Sequence, residues 1–356
     1  MIDLLLLPKE LFSIPSVSLH EKRMLLAVEQ LLSRLSSVQL HRDRWGNLIA
    51  RYRFQPKGLQ PLCFIGHLDH PGVVVEKGRL LLRGGVQEEW LKKATIRFCT
   101  QEGIYLPGKS QVQSIRKQES ETELLVDRLP PEAAFGVWDL CEFQENATTI
   151  TGRACDDLVA VVSMVSLLQY LDRNRIPADV ECWFTRAEEV GFWGTFGRLN
   201  ETKPNSDRIY ISIEASQAKG FAAWGGGMVI RVGDRLSVFD SDVTRWLTDH
   251  ASHLKKESPE FHFQRLLMGG GTCEATAIQE AGLRTGAICL PLKNYHNHGP
   301  SQRLAPEKVS RQDWHSLLQL ILRISTVRPT VAQVKTNFQK ILNERKKAAF
   351  KNLRAL

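Results

Sequence analysis

The sequence predicts an α/β fold: a mostly parallel sheet sandwiched by helices, with a small all-β domain inserted into it. Three observations carry this. Residues 62–65 form a short, wholly apolar run, the mark of a strand buried on both faces. Beyond residue 149, apolar strand candidates at 180–184, 209–213 and 287–290 alternate with helical segments, as they do in a sheet with crossover helices. Between 73 and 148 only short β-like runs occur, separated by Gly, Pro and charged turns.

In chain order, Met24, Leu25, Val28, Leu31, Leu32 and Leu35 recur at helical spacing, so residues 20–35 are expected to be an amphipathic helix. A turn at Gly46-Asn47 leads into a strand over 48–52. The buried strand 62–65 ends in Gly66-His67-Leu68-Asp69. In the insertion, strands are expected at 73–75, 94–99, 123–126 and 137–143, with no helix among them. Residues 158–171 are apolar enough for a buried helix. Pro329 marks a boundary, and a terminal helix with Val334, Phe338, Ile341 and Leu342 on one face follows. The division is therefore a discontinuous α/β domain (1–72 and 149–329), an inserted β domain (73–148), and a basic helical tail (330–356).

Composition excludes several classes. The chain is 43% hydrophobic and 24% charged, as ordinary globular proteins are. No apolar run is long enough to span a bilayer. Leu4 to Leu7, behind the acidic Asp3, are too few for a secretory signal. The seven cysteines are odd in number and never form a C-x-x-C pair, so a reducing, cytoplasmic setting is expected. The net charge is +8, but residues 331–356 hold seven basic side chains against the single Glu344. Basicity is thus a property of the tail, and nucleic acid is not an expected partner of the body.

Acids and histidines appear where strand candidates stop or a helix begins: His67 and Asp69, Asp156 and Asp157, Glu188 and Glu189, Glu214, and His296 with His298. Singly, each is ordinary. Acid pairs cap helices and sit in solvated turns, and a lone His is usually a surface or core residue. Jointly they sit where an open α/β sheet gathers its site, beyond the carboxyl ends of the strands. Imidazoles with several carboxylates suit zinc, with cobalt or manganese as alternatives. A carboxylate shared by two ions would set them about 3.5–4 Å apart, so that they activate water and polarise a carbonyl. One of the adjacent Glu188 and Glu189 can bind metal while the other stays free as a base. Asp69, two residues after His67, can accept the imidazole N–H.

These segments resemble the tetrahedral-aminopeptidase and glutamyl-aminopeptidase family of co-catalytic dizinc exopeptidases. The resemblance rests on Gly66-His67-Leu68-Asp69 with Gly72, Gly152 to Asp157, Arg186 to Gly191 with Gly194, Ile213-Glu214-Ala215, Gly271-Thr272 with Ala275, and Pro291 to His296. It implies two divalent metal ions per subunit. Asp156 bridges them, His67 and Glu214 complete one, and Glu189 and His296 complete the other. It makes Glu188 the general base and Asp69 the orienting carboxylate, and it implies a cis peptide between Asp156 and Asp157. It also implies a short-peptide substrate and a homo-oligomer, from dimer to tetrahedral dodecamer. The chain departs from the family at Glu214 (usually Asp), at Cys155, at His70-Pro71 and at Cys273-Glu274; the tail lies outside the resemblance.

The expected activity is a metal-dependent aminopeptidase. A deacylase or carboxypeptidase-like amidohydrolase would use the same metals, but such cousins carry a helical lid domain that the insertion does not suggest. A glycosidase would leave His67, Asp69 and His296 without a role. A non-enzymatic interaction protein would not need the full set of ligands and base.

Overall fold

A computed structural model describes residues 8–118, 121–201, 207–218, 220 and 222–353. The chain enters through α1 (Lys22–Leu32), which buries Met24, Leu25, Val28 and Leu32. The antiparallel pair β1 (Val38–Arg42) and β2 (Leu48–Phe54) follows. Next comes β3 (Leu62–His67), buried along its whole length. Four residues beyond His67 the chain leaves this layer for a closed barrel. Its elements are β4 (Gly72–Glu76), β5 (Arg79–Arg83), a short α2 (Glu88–Leu91), β6 (Thr95–Cys99), β7 (Ser110–Gln118), β8 (Glu121–Val126) and β9 (Phe135–Trp138). The strands close in the order β4-β5-β8-β7-β6-β9, around a core that includes Val73, Leu80, Ile96, Phe98, Leu124 and Trp138. Closure removes the free edges that six short strands would otherwise expose.

The return to the first layer runs through β10 (Phe143–Glu145), β11 (Thr149–Gly152), α3 (Cys155–Arg173), β12 (Ala178–Thr185), α4 (Trp193–Glu201), β13 (Ile209–Gln217) and β14 (Met228–Gly233). It continues through α5 (Ser241–Glu257), β15 (Phe263–Leu267), α6 (Glu274–Glu280), β16 (Thr285–Lys293), β17 (Glu307–Ser310), α7 (Arg311–Thr326) and α8 (Val331–Leu353). The large sheet has eleven strands, with the path β1-β2-β12-β3-β13-β16-β17-β11-β10 and with β14 and β15 attached through β16. Its centre, β12-β3-β13-β16, is parallel, and the strands on either side of this centre pair antiparallel to it. The four parallel strands therefore end at one edge of the sheet.

Side-chain alternation assigns the two faces. Phe64, Ile211, Ile213 and Ile288 join Leu158, Val162, Trp246 and Trp314 in the main core, under α1, α3, α5 and α7. Cys63, Ile65, Trp183 and Tyr210 point the other way, onto Ile278 of α6 and Leu199 of α4. Each fully buried large apolar side chain contributes about 1.5–3 kcal/mol.

Three expectations need correction. The run at 137–143 is two strands: β9 closes the barrel, whereas β10 pairs with β11 in the large sheet. The insertion is not free of helix, since α2 interrupts it. In the tail, α8 buries Val331 and Val334, but Ile341 and Leu342 are 49% and 45% exposed. The helix docks on α5 only through its first turns, where Phe338 lies under the Arg245 guanidinium at 3.9 Å. Its apolar stripe outruns the surface available to cover it.

Candidate metal centre

Apart from Glu214, which lies within a parallel strand, each acid or imidazole is placed by the end of such a strand or the start of a helix. His67 closes β3. Its Nδ1 faces the main-chain carbonyl of Asp69 at 3.0 Å, which leaves Nε2 pointing inward, 3.4 Å from Asp156 Oδ1. Asp156 stands at the start of α3, before a cis peptide to Asp157. Its N–H donates to Glu307 Oε2 at 2.9 Å. After β12, the chain turns sharply through left-handed backbone at Ala187 (φ 53°) and Phe192 (φ 60°), and this presents Glu188 and Glu189. Gly194 permits that turn, because a Cβ there would lie 2.5 Å from the Arg186 carbonyl oxygen. Glu214 needs no turn: it projects from within β13, and Ser212 Oγ donates to its Oε1 at 3.0 Å. His296 follows β16 in a segment where Asn294, His296 and Asn297 are all left-handed. Such backbone is costly for non-glycine residues and clusters at functional sites.

The structure brings these groups together. Ligand atoms of His67, Asp156 and Glu214 all lie within 4.8 Å of one another, and so do those of Asp156, Glu189 and His296. Asp156 belongs to both sets. His67, Glu188 and Glu189 form a third such set. His298 belongs to none of the three: its Nε2 accepts from the Gln87 N–H at 3.0 Å, and its ring packs on Trp90 at 4.6 Å. His296 instead accepts orientation from the barrel, with Nδ1 2.9 Å from the Gly85 carbonyl and Nε2 3.4 Å from Glu189 Oε2.

The electrostatics ask for cations. Asp156 Oδ1 and Glu189 Oε1 are buried with no hydrogen-bond partner. Burial and mutual repulsion push the carboxyls of Glu188 and Glu189 well above their ordinary range, and Glu214 up to about 8. Burial alone would lower the His67 pKa, but Glu188, Asp156 and Asp69 around it raise it well above normal. Four carboxylates, Asp156, Glu188, Glu189 and Glu214, would be neutralised by two divalent cations. The oxygen and imidazole donor set fits zinc, cobalt or manganese.

One expected role changes. The Asp69 carboxylate is 3.6 Å from His67 Nδ1, beyond hydrogen-bond length, and the imidazole is oriented by the main-chain carbonyl of Asp69. The carboxylate accepts instead from Ser18 Oγ at 2.6 Å and from the N–H groups of Glu188 and Glu189 at 3.1 and 3.2 Å. It holds the acid pair through these hydrogen bonds and acts on the imidazole through its charge, at 3.6 Å. Other buried charges escaped the sequence reading. Glu307 holds the Asp156 main chain and Arg231 lies beside the site, while Glu274, marked in the sequence only as a departure from the family pattern, bonds Thr195. A signal for Arg231 was present, since an arginine interrupts the apolar strand Met228–Gly233.

The centre opens into a cleft of about 1000 Å³, bordered by Gly85, Gln87 and Trp90 of the barrel and by Arg231, Met268 and Tyr295 of the sheet layer. The family model for M42 glutamyl aminopeptidase matches residues 135–309. Among solved structures, the TET1 peptidase of Pyrococcus horikoshii, which can assemble into a tetrahedron or a large octahedral shell, superposes with a TM-score of 0.70. It is 22% identical and covers 90% of this chain and 98% of its own. An aminopeptidase from the archaeon Desulfurococcus kamchatkensis gives a TM-score of 0.73 at 22% identity, over 92% and 95% of the two chains. A TET aminopeptidase from the marine sediment archaeon Thaumarchaeota archaeon SCGC AB-539-E09 gives 0.74 at 16%, over 92% and 98%. At these identities the structural likeness is one of fold. The matched family segment contains Asp156, Glu188, Glu189, Glu214 and His296, and His67 stands beside them. Residues 135–309 thus match the M42 glutamyl aminopeptidase family, and the chain shares the fold of the TET aminopeptidases, which supports reading it as a metal-dependent aminopeptidase.

Proposed function

We propose that the chain removes single residues from the amino terminus of short peptides at a two-cation centre. Asp156 is shared by the pair, with His67 and Glu214 on one cation and Glu189 and His296 on the other. The observation that carries this is the presence of Asp156 in both ligand sets while one of its oxygens is buried without a partner. When bound, the cations supply Lewis acidity, polarising the scissile carbonyl and making water acidic enough to attack near neutral pH.

The chain's own residues do the rest. Glu188, with Oε2 3.8 Å from His67 Nε2, takes the proton of the attacking water and delivers it to the leaving amine. Asp69 holds the Glu188 main chain, and therefore this carboxylate, in place. A cleft of about 1000 Å³ admits a short peptide and not a folded protein. Assembly into homo-oligomers is part of the proposal, supported by the closed shells named for the Pyrococcus horikoshii enzyme. Zinc is the proposed native metal.

The test is Glu188→Gln, with metal content and turnover of aminoacyl amides both measured. Metal is expected to be retained while kcat falls about 10³-fold or more. Near-normal turnover would refute the role.

A further inference from the structure

His70 is buried, belongs to none of the ligand sets and does not border the cleft. It is one of the positions at which the chain departs from the family it resembles. Its ring nonetheless meets two ligand segments. The main-chain oxygen of Asp156 can only accept, so Nδ1 donates to it. On the other side, Nε2 stands 2.9 Å from Asn297 Oδ1. Asn297 is fully buried and directly follows His296. Its amide is itself fixed, since Nδ2 donates to the Arg153 oxygen at 2.8 Å and to the Ala305 oxygen at 3.2 Å. The two proposed cation positions differ in what holds their ligands. His67 ends β3 and Glu214 lies within β13, so the pairing of these strands with their neighbours fixes both. His296 lies beyond β16, in a run where Asn294, His296 and Asn297 have φ of 58°, 51° and 61°. Left-handed backbone of this kind persists only where surrounding contacts hold it. Gly85 of the barrel holds the His296 ring, and His70 reaches the main chain beside it through Asn297.

We infer that His70 is a positioning residue for one cation of the pair, the one held by Asp156, Glu189 and His296. It sets the spacing between the shared carboxylate and His296 by spanning the main chains that carry them. The inference rests on the two-cation reading and adds the residue that makes its two positions unequal. Without the ring, the Asp156 N–H stays on Glu307 and α3 still carries the residue. The 294–297 run, by contrast, loses its tie to the end of β3. Both the shared ligand and His296 are therefore loosened at this position, whereas at the other only Asp156 is touched. Groups that orient metal ligands in this way change metal affinity by about 10- to 100-fold when removed. Because His70 does not border the cleft, its effect on turnover passes entirely through the cation.

The experiment titrates cobalt into metal-free wild type, His70→Phe, which keeps a ring but has no donor, and His70→Gln, which keeps an N–H donor. Calorimetry gives the affinity for each ion, and anomalous scattering from cobalt-soaked crystals gives the occupancy of each position. In His70→Phe the affinity for one ion should fall about 30-fold and that for the other less than about 3-fold. The depleted position should be the one at Glu189 and His296, and His70→Gln should recover part of the loss. Turnover of aminoacyl amides by His70→Phe should be low at limiting cobalt and return to within about 3-fold of wild type at excess cobalt. A general folding defect would not be repaired by metal. Equal weakening of both ions, depletion at Glu214 instead, or unchanged affinities each overturns the inference, as does a Gln variant no better than Phe. If wild type binds fewer than two ions, the two-cation reading has failed, and hydrogen exchange of the metal-free protein decides the brace separately. Faster exchange confined to residues 294–298 in His70→Phe upholds it. Exchange that is unchanged there, or raised throughout the chain, overturns it.

Discussion

The edge of the parallel sheet and the barrel face each other across one cleft but contribute to it in different ways. The sheet layer supplies every imidazole and carboxylate of the ligand sets, from the ends of β3, β12, β13 and β16 and the start of α3. The barrel supplies the Gly85 carbonyl that orients His296, the Gln87 N–H that occupies His298, and the Trp90 indole that donates to Gly299 O at 2.8 Å. Chemistry sits where parallel strands must end together. Access sits in loops of a closed barrel, whose stability comes from its own core. The difference teaches that damage to the sheet edge should abolish metal binding and turnover, whereas damage to the barrel loops should alter substrate entry.

The largest effect should come from Asp156→Ala. Losing the shared ligand should reduce content of both metals, measured by elemental analysis, and lower kcat/KM by about 10⁴-fold or more. Full occupancy of either position would break the assignment of Asp156 to both.

Next is the pH dependence of the metal-free protein. Glu214 is raised to about 8, Glu188 and Glu189 are raised well above their ordinary range, and His67 is raised as well. Groups with folded pKa values above their unfolded ones bind extra protons in the native state. Their stabilisation is complete at low pH and is lost as pH rises through the folded values. The melting temperature of metal-free protein should therefore fall between pH 5 and pH 8. Added zinc should reverse that slope, because it binds the deprotonated acids. A flat profile without metal would show that the acids do not crowd as described.

A smaller change is expected for Trp90→Ala in the barrel. KM should rise roughly 3- to 10-fold while kcat moves less than about 3-fold and metal content stays full. Loss of metal in this variant would erase the contrast between the two regions. The smallest effect belongs to the tail, which touches neither. Removing residues 343–356 leaves the Lys335–Asp242 ion pair and the Phe338–Arg245 contact in place. Calorimetry should find a stability change of less than about 1 kcal/mol, with turnover unaltered.

Much of this was legible in the chain itself. The apolar run before His67 had to be a strand buried on both faces, and the acid pairs after 155 and 187 stood where such strands and helices meet. His67, Asp156, Glu188, Glu189, Glu214 and His296 are gathered as their positions implied. What was illegible depended on contacts between distant segments. Whether a carboxylate two residues from His67 meets the ring or the turn at 188 is a matter of about half an ångström, which local spacing does not set. The split of 137–143 between two sheets likewise depends on which strand lies alongside each half.

The sequence by itself determined the layers and the donor types, because periodicity and residue chemistry are local properties of the chain. Only the tertiary structure decided the pairings: His296 inward and His298 outward, Asp69 on the acid pair, and Arg231 buried beside the cleft against Ser216. Those depend on the register and twist of strands far apart in the sequence, which bring a side chain within hydrogen-bond reach or leave it just beyond.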